Sequence, residues 1–239
     1  MVSSLKITSK SNNLFLDILP KATVRAFEKC SQMDFFSHNS WYLAGGTALA
    51  LQTGHRQSVD LDFFTKEKVF NEKKAEENMN GYENWTTNSI SDGTVYGEFW
   101  GAKISLIAYP FFTPAVPMRK YGTVSILAPL DIAVMKIIAI SQRGRKRDFF
   151  DLYWICQNMY PLHDILLKVD KQYSVNQNIL HILKSMVYFK DAENDPEPKI
   201  YFNANWKKVK DYFKKEVPII AKKIIMGSPM NGNAERLSH

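Results

Sequence analysis

Cysteine is scarce in this chain: among 239 residues there are two, Cys30 and Cys156. They stand far apart, form no Cys-x-x-Cys pair and have no neighbouring histidine, which excludes a disulfide framework and a cysteine zinc site. Both are expected as buried small apolar residues. Long apolar runs are missing too. The best candidate, Pro129 to Ile140, is interrupted by Asp131 and Lys136 and falls short of the ~18 residues a membrane helix needs. A cleavable-signal pattern is absent, because the early apolar stretch Leu14 to Leu19 is short and contains Asp17, so a cytoplasmic protein without membrane contact is expected. No internal repeat is found, and His38, His163, His181 and His239 are scattered without metal-ligand spacing. With 45% apolar and 23% charged residues, the chain has the composition of a globular protein able to build a core.

Acidic charge is short in one half only. The formal net charge is +7. Residues 1–128 hold 13 basic against 12 acidic residues, whereas residues 129–239 hold 18 against 12. Lys136 to Arg147 supplies five cations and no acid; Lys199 to Lys223 supplies eight lysines against Asp211 and Glu216. Such clusters are either a solvated helical surface or the electrostatic footprint of a polyanion such as RNA or a nucleoside triphosphate.

The periodicities divide the chain into an α/β head over 1–128, a helical region over 129–226 and a polar, mobile tail over 227–239. Pro20 suits a helix start before Thr23 to Phe36. Trp41 to Ala44 is a short apolar stretch, Ala48 to Gln52 a short helix closed by Gly54, and Ser58 to Phe64 a strand. Asn71 to Asn80 reads as a surface helix. Thr94 to Trp100 and Lys103 to Tyr109 read as a hairpin around a Gly101-Ala102 type II′ turn; that register sets Glu98 opposite Ser105. A further strand is expected at Thr123 to Leu127. Helices are expected over Pro129 to Gln142, Asp148 to Met159, Leu162 to Val169, Ser174 to Phe189 and Trp206 to Met226, with a loop over Asp191 to Pro198.

The chemistry concentrates at Gly45-Gly46-Thr47 and Asp60-Leu61-Asp62. Strand alternation puts Asp60 and Asp62 on one face and Leu61 and Phe63 on the other. Two adjacent carboxylates repel each other unless a cation lies between them, and Mg²⁺ takes carboxylate oxygens together with substrate phosphates. A Gly-Gly turn at a helix N-terminus lets backbone N–H groups approach an anion closely. His55 and Arg56 lie in the loop before the acids, where they could touch a triphosphate.

This pattern resembles the nucleotidyltransferase superfamily of the DNA polymerase β type. It is more closely similar to the AbiEii/AbiGii toxin family, through Leu43 to Gln52, Gly54-His55-Arg56, Ser58 to Phe64, Gly101 to Ile104, Asp131 to Lys136 and Lys146 to Leu152. The resemblance implies an α+β fold, with a polymerase β-like head of mixed sheet and flanking helices followed by a helical bundle. It implies Gly45, Gly46 and Thr47 as a phosphate-binding turn, Asp60 and Asp62 as ligands of Mg²⁺ or Mn²⁺, Lys136 as an essential lysine, Asp148 and Asp151 as acids of a K/R-D-x-x-D motif, and Arg56 and Arg147 as nucleotide contacts. The superfamily's third carboxylate falls at Ser105, a departure that makes Glu98 the candidate substitute. The implied activity is transfer of a nucleoside monophosphate from a nucleoside triphosphate to an acceptor hydroxyl, with the tRNA 3′ end as the expected acceptor, by the toxin of a toxin–antitoxin or phage-defence system with a cognate antitoxin. The alternatives are a homologue that binds nucleotide or RNA without turnover and an enzyme that nucleotidylates a protein.

Overall fold

The computed structural model describes residues 14–38, 40–68 and 70–225; the tail at 227–239 lies outside them. After a 3-10 turn at Leu16–Ile18, Pro20 caps α1 (Lys21–Cys30), which buries Thr23, Ala26, Phe27 and Cys30 at three- and four-residue spacing. Next come α2 (Asp34–His38), β1 (Tyr42–Ala44), α3 (Gly45–Thr53), β2 (Leu61–Thr65) and α4 (Glu72–Asn80). Gly54 ends α3 in the left-handed region at φ 67°, a conformation that costs glycine little. The side chain of Asn71 caps α4 by accepting from the Lys74 N–H at 2.9 Å. The remaining strands are β3 (Trp85–Ser91), β4 (Thr94–Phe99), β5 (Ala102–Ala108), β6 (Arg119–Tyr121) and β7 (Val124–Ile126). Together the strands form one mixed sheet in the order β3-β4-β5-β2-β1-β7-β6, in which β2–β5 and β1–β7 are parallel.

The helical part comprises α5 (Pro129–Arg143), α6 (Lys146–Asn158), α7 (Leu162–Gln172), α8 (Ile179–Ser185), α9 (Lys190–Glu193) and α10 (Trp206–Ile225). It does not stand apart from the sheet. Ala48, Leu49, Ala50 and Leu51 of α3 are all fully buried, so α3 has no solvent face and is gripped between the sheet and the packed pair α5 and α6. One apolar cluster runs from Leu49 and Phe63 through Ile137 and Phe150 to Phe213. Burying α3 on all sides fixes where its N-terminus points. Among the described residues, no helix is long and apolar enough to cross a membrane.

Several expectations need correction; the first is Thr23 to Phe36, which is interrupted, since α1 ends at Cys30 and α2 begins at Asp34. β3 was not anticipated: it is an edge strand with Trp85 buried and Ile90 exposed, and a polar edge carries no clean alternation. The three-residue β6 was missed as well. Ser174 to Phe189 is not one helix, since only Ile179–Ser185 is helical, starting where Asn178 accepts from the His181 N–H at 3.0 Å. The Asp191 to Pro198 loop opens with the short α9.

The hairpin turn is the last correction and the one that affects the site. Phe99 pairs with Ala102, so the two-residue loop is Trp100-Gly101, with both residues at positive φ (53° and 80°). That is the backbone of a type I′ turn, which tryptophan seldom enters. Here Trp100 is held by the side chains of Arg25 and Lys29 over its ring, at 5.6 and 5.3 Å, and by its N–H donating to the Asn84 carbonyl at 3.2 Å. Moving the loop by one residue shifts the pairing by two: Tyr96, not Glu98, faces Ser105, and Glu98 faces Lys103.

Candidate active site

β2 is where sheet and helix meet. Leu61 and Phe63 point into the core and are fully buried, leaving Asp62 on the opposite face. Asp60 lies one residue before the strand begins. Ala44 runs directly into α3, and Gly45 sits at φ 69°, so the helix N-terminus comes up against the acids. A Cβ at Gly45 would lie 3.2 Å from Asp62 Oδ2. Thr47 is buried, and its hydroxyl reaches across to the Asp60 carbonyl and lies 2.9 Å from Ser58 Oγ. Its role is therefore to fasten the loop before the acids to α3.

Asp60 and Asp62 open onto a cleft of about 340 Å³ that is also lined by Phe64, Lys103, Ser105, Arg143 and Arg147. Ser105 pairs with Asp62 across β2–β5 and donates to Asp62 Oδ1 at 2.9 Å. Arg147 reaches to 3.8 Å from Asp60 Oδ2. Burial pushes the Asp62 carboxyl above the usual carboxylate range; the Ser105 hydrogen bond opposes this and the charge of Asp60 adds to it. A raised carboxyl beside a second acid is a site that gains from a cation.

Beneath the cleft lies a buried ionic hub. The Asp151 carboxylate on α6 accepts from Arg56 Nε at 2.5 Å and Nη2 at 2.8 Å, faces His55 Nε2 at 2.8 Å, and pairs with Lys136 Nζ at 2.6 Å. Lys136 also donates to Asp148 at 2.6 Å, and Asp148 takes a second cation, Arg143, at 3.1 Å. Burial alone would raise both carboxyls. For Asp151, Arg56 and then Lys136 outweigh it and hold the carboxyl well below its ordinary value; for Asp148, Lys136 and then Arg143 outweigh it and hold the carboxyl below its ordinary value. Burial lowers the His55 pKa despite its bond to Asp151. The loop carrying His55 and Arg56 is pinned from outside as well: Gln57 N–H donates to the Lys199 carbonyl at 2.9 Å, and Tyr201 N–H donates to the His55 carbonyl at 2.8 Å.

The structure thus sorts the expected residues. Asp60, Asp62 and Arg147 line the cleft, and Gly45 abuts Asp62. Arg56 and Lys136, expected beside a triphosphate, are closed off by carboxylates and hold the loop and the helices together, as do Asp148 and Asp151. Glu98 is exposed opposite Lys103 and does not line the cleft, because the register that brought it to Ser105 was displaced. Sequence reasoning overlooked Arg143, Tyr96, Asn88 and Lys103 as cleft residues. Arg143 had a signal, as the last cation of α5 four residues before Arg147; the strand residues depended on the turn.

The sequence profile described as "Nucleotidyl transferase AbiEii toxin, Type IV TA system" matches residues 31–88 and 105–223. The chain belongs to the AbiEii nucleotidyl transferase toxin family. An uncharacterized protein of Aquifex aeolicus is 35% identical over 182 residues, covering 75% of this chain and 87% of its own length. Two solved structures are similar at 14% identity: a candidate nucleotidyltransferase from H. pylori (87% of this chain and 99% of that one, TM-score 0.46) and MenT4, a nucleotidyltransferase toxin from Mycobacterium tuberculosis (84% and 89%, TM-score 0.48). Those two are too distant to add to the assignment. In this AbiEii-family chain the two matched segments hold both cleft acids and the whole ionic hub.

A consequence for the glycine turn can be measured. A Cβ at Gly46 would lie 2.3 Å from Arg56 Nη2. An arginine tip usually yields, but this one is locked onto Asp151 by two bonds. Gly46→Ala is therefore expected to cost about 1–3 kcal/mol, read as a lower denaturation midpoint, whereas Gly144→Asn, at the left-handed end of α5 where a Cβ would meet nothing closer than 3.7 Å, costs less.

Proposed function

We propose that this nucleotidyltransferase of the AbiEii toxin family moves a nucleoside monophosphate from a nucleoside triphosphate to the 3′ hydroxyl of tRNA in the cytoplasm, in a metal-dependent reaction, and that an antitoxin protein restrains it. The observation that supports this reading is the cleft itself: two carboxylates, a serine hydroxyl between strands, two arginines on the rim and a helix N-terminus against the acids. Among the described residues no group of three or more His, Cys, Asp or Glu could hold a metal. The donor set still fits Mg²⁺ or Mn²⁺, since such ions commonly take one or two carboxylates and complete their shell with substrate phosphates and water. Asp60 and Asp62 would be the ligands. When bound, the ion supplies charge neutralisation at the phosphate that is transferred.

The chain's own residues do the rest. Arg143 and Arg147 face the charge of the β- and γ-phosphates from the rim, and the Gly45-Gly46 N-terminus of α3 favours negative charge beside Asp62. The acceptor oxygen bonds to the α-phosphorus, the bond from that phosphorus to the β-bridging oxygen breaks, pyrophosphate leaves, and the hydroxyl proton passes to water. Arg56, Lys136, Asp148 and Asp151 act at one remove, by seating the loop and helices that carry the acids and Arg147.

Incubation with each α-³²P-labelled triphosphate, Mg²⁺ and total tRNA is expected to put label into RNA, with Asp60→Ala/Asp62→Ala as the control; label that resists ribonuclease and yields to protease would make a protein the acceptor instead. A second reading is favoured by Ser105 standing where a third carboxylate would: the chain binds nucleotide or RNA without turnover. Binding of a triphosphate with no label transferred to RNA or protein decides for it.

A further inference from the structure

The cleft does not end at the acids. Across the sheet, Asp62 on β2 pairs with Ser105 on β5, and Ser105 pairs with Tyr96 on β4. Partners in such a row share one face, so Tyr96 continues the line begun by Asp62. Next to it, β3 carries a bulge: Thr87 pairs with Gly97 and Ser89 with Tyr96, leaving Asn88 as the extra, unpaired residue. A bulge re-aims a side chain that regular pairing would place elsewhere, and Asn88 lines the cleft beside Tyr96. Tyr96 is 43% exposed although it is an aromatic residue in the middle of a strand.

The cleft therefore has two chemically different ends. Arg143, Arg147 and the acids form a charged end. Tyr96 and Asn88 form an end with an aromatic ring and a primary amide, with Phe64 and Ile107 nearby and Lys103 between the two ends. Neighbouring strands lie about 4.8 Å apart, so Tyr96 stands roughly 10 Å from the Asp62 row position and the β3 edge about 14 Å. A nucleoside triphosphate has the same polarity, a polyanion at one end and a flat, edge-functionalised ring at the other.

We propose that Tyr96 and Asn88 form the nucleobase subsite, Tyr96 by stacking on the base and Asn88 by hydrogen bonding to its edge, so that Asn88 sets which triphosphate is used. This rests on the nucleotidyltransferase reading of the same cleft. An amide offers a donor and an acceptor side by side, which is what an edge of a base can read; a ring stacks on any base. The subsite needs the Trp100-Gly101 turn, because any other loop position would take Tyr96 out of the Asp62 row.

Calorimetric titration of the four α,β-methylene nucleoside triphosphates and of inorganic triphosphate, each with Mg²⁺, tests it. The unsubstituted protein should bind at least one nucleotide more tightly than inorganic triphosphate. Tyr96→Ala should weaken nucleotides about tenfold without changing inorganic triphosphate, and Tyr96→Phe should restore them. Asn88→Ala should narrow the spread among the four nucleotides. Nucleotide binding that survives Tyr96→Ala, or a spread unchanged in Asn88→Ala, overturns the subsite and leaves the nucleotidyltransferase reading standing. Failure of the unsubstituted protein to bind any of the nucleotides overturns both.

Discussion

Asp62→Asn is expected to lower nucleotide transfer by about a thousandfold while leaving the protein as stable as before, or more so. The two effects have one origin. Burial raises the Asp62 carboxyl, the Ser105 hydrogen bond only partly offsets this, and Asp60 raises it further. A group whose folded pKa lies above its unfolded value opposes folding once the pH is high enough to ionise it, so at neutral pH the ionised Asp62 is a cost the fold carries. Asparagine keeps an acceptor for the Ser105 hydroxyl and removes the charge. Transfer falls because the remaining carboxylate cannot hold a hard dication as a pair can. The paired measurements are single-turnover label transfer and the midpoint of thermal unfolding without nucleotide. A variant that transfers normally would remove Asp62 from the chemistry; one that is clearly destabilised would contradict the electrostatic account of its site.

Asp151→Asn should do the reverse, with stability lost first. The fully buried Asp151 carboxylate closes off Arg56 and Lys136 and faces His55. Breaking a buried pair from one side leaves charge uncompensated and costs about 3–5 kcal/mol, which for a chain of this size corresponds to a thermal midpoint lower by roughly 6–20 °C. The same hub sets the acid limit of the fold. Asp148 and Asp151 are held below the ordinary carboxylate value of 3.8, so their contribution is fully present above that value, begins to be lost below it, and is gone once the pH has fallen through the lower folded values. His55 is held below 6.5, so the unfolded chain takes up that proton first and stability begins to decline below 6.5. Unfolding followed from pH 7 downward should show both losses in the unsubstituted protein. In Asp151→Asn the lower, carboxylate part of the slope should shrink.

The local grammar of the fold was legible where one residue decides a boundary. Pro20 starts α1, Gly54 ends α3, Asn71 caps α4, and the alternation around Asp62 puts Leu61 and Phe63 in the core as expected. The acids and the glycine turn could be read because they are contiguous in sequence. The ionic hub was half legible: Lys136, Asp148 and Asp151 were singled out, but their meeting with Arg56 depends on a fold that brings residues some ninety positions apart into contact, and spacing cannot show which cation a carboxylate will take. The cleft wall was hidden for a more local reason. Placing tryptophan at positive φ is disfavoured unless something outside the hairpin stabilises it, and Arg25 and Lys29 do so from α1. The basic surplus is similarly less uniform than its sequence implies, since Lys207 pairs with Asp211, Lys210 with Glu193, and the buried Lys146 with Glu197.

The pinned loop also governs timing. Residues 55–57, which lead into the acids, receive their partners from Asp151 and from the backbone at 199–201. On a ribosome those partners emerge long after the acids themselves. A nascent chain that has not yet reached Asp151 carries Asp60 and Asp62 without either set of partners, and one that stops before residue 199 lacks the outer backbone pair. The acids are therefore made early and seated late: the loop in front of them takes up its place only once both sets of partners have emerged.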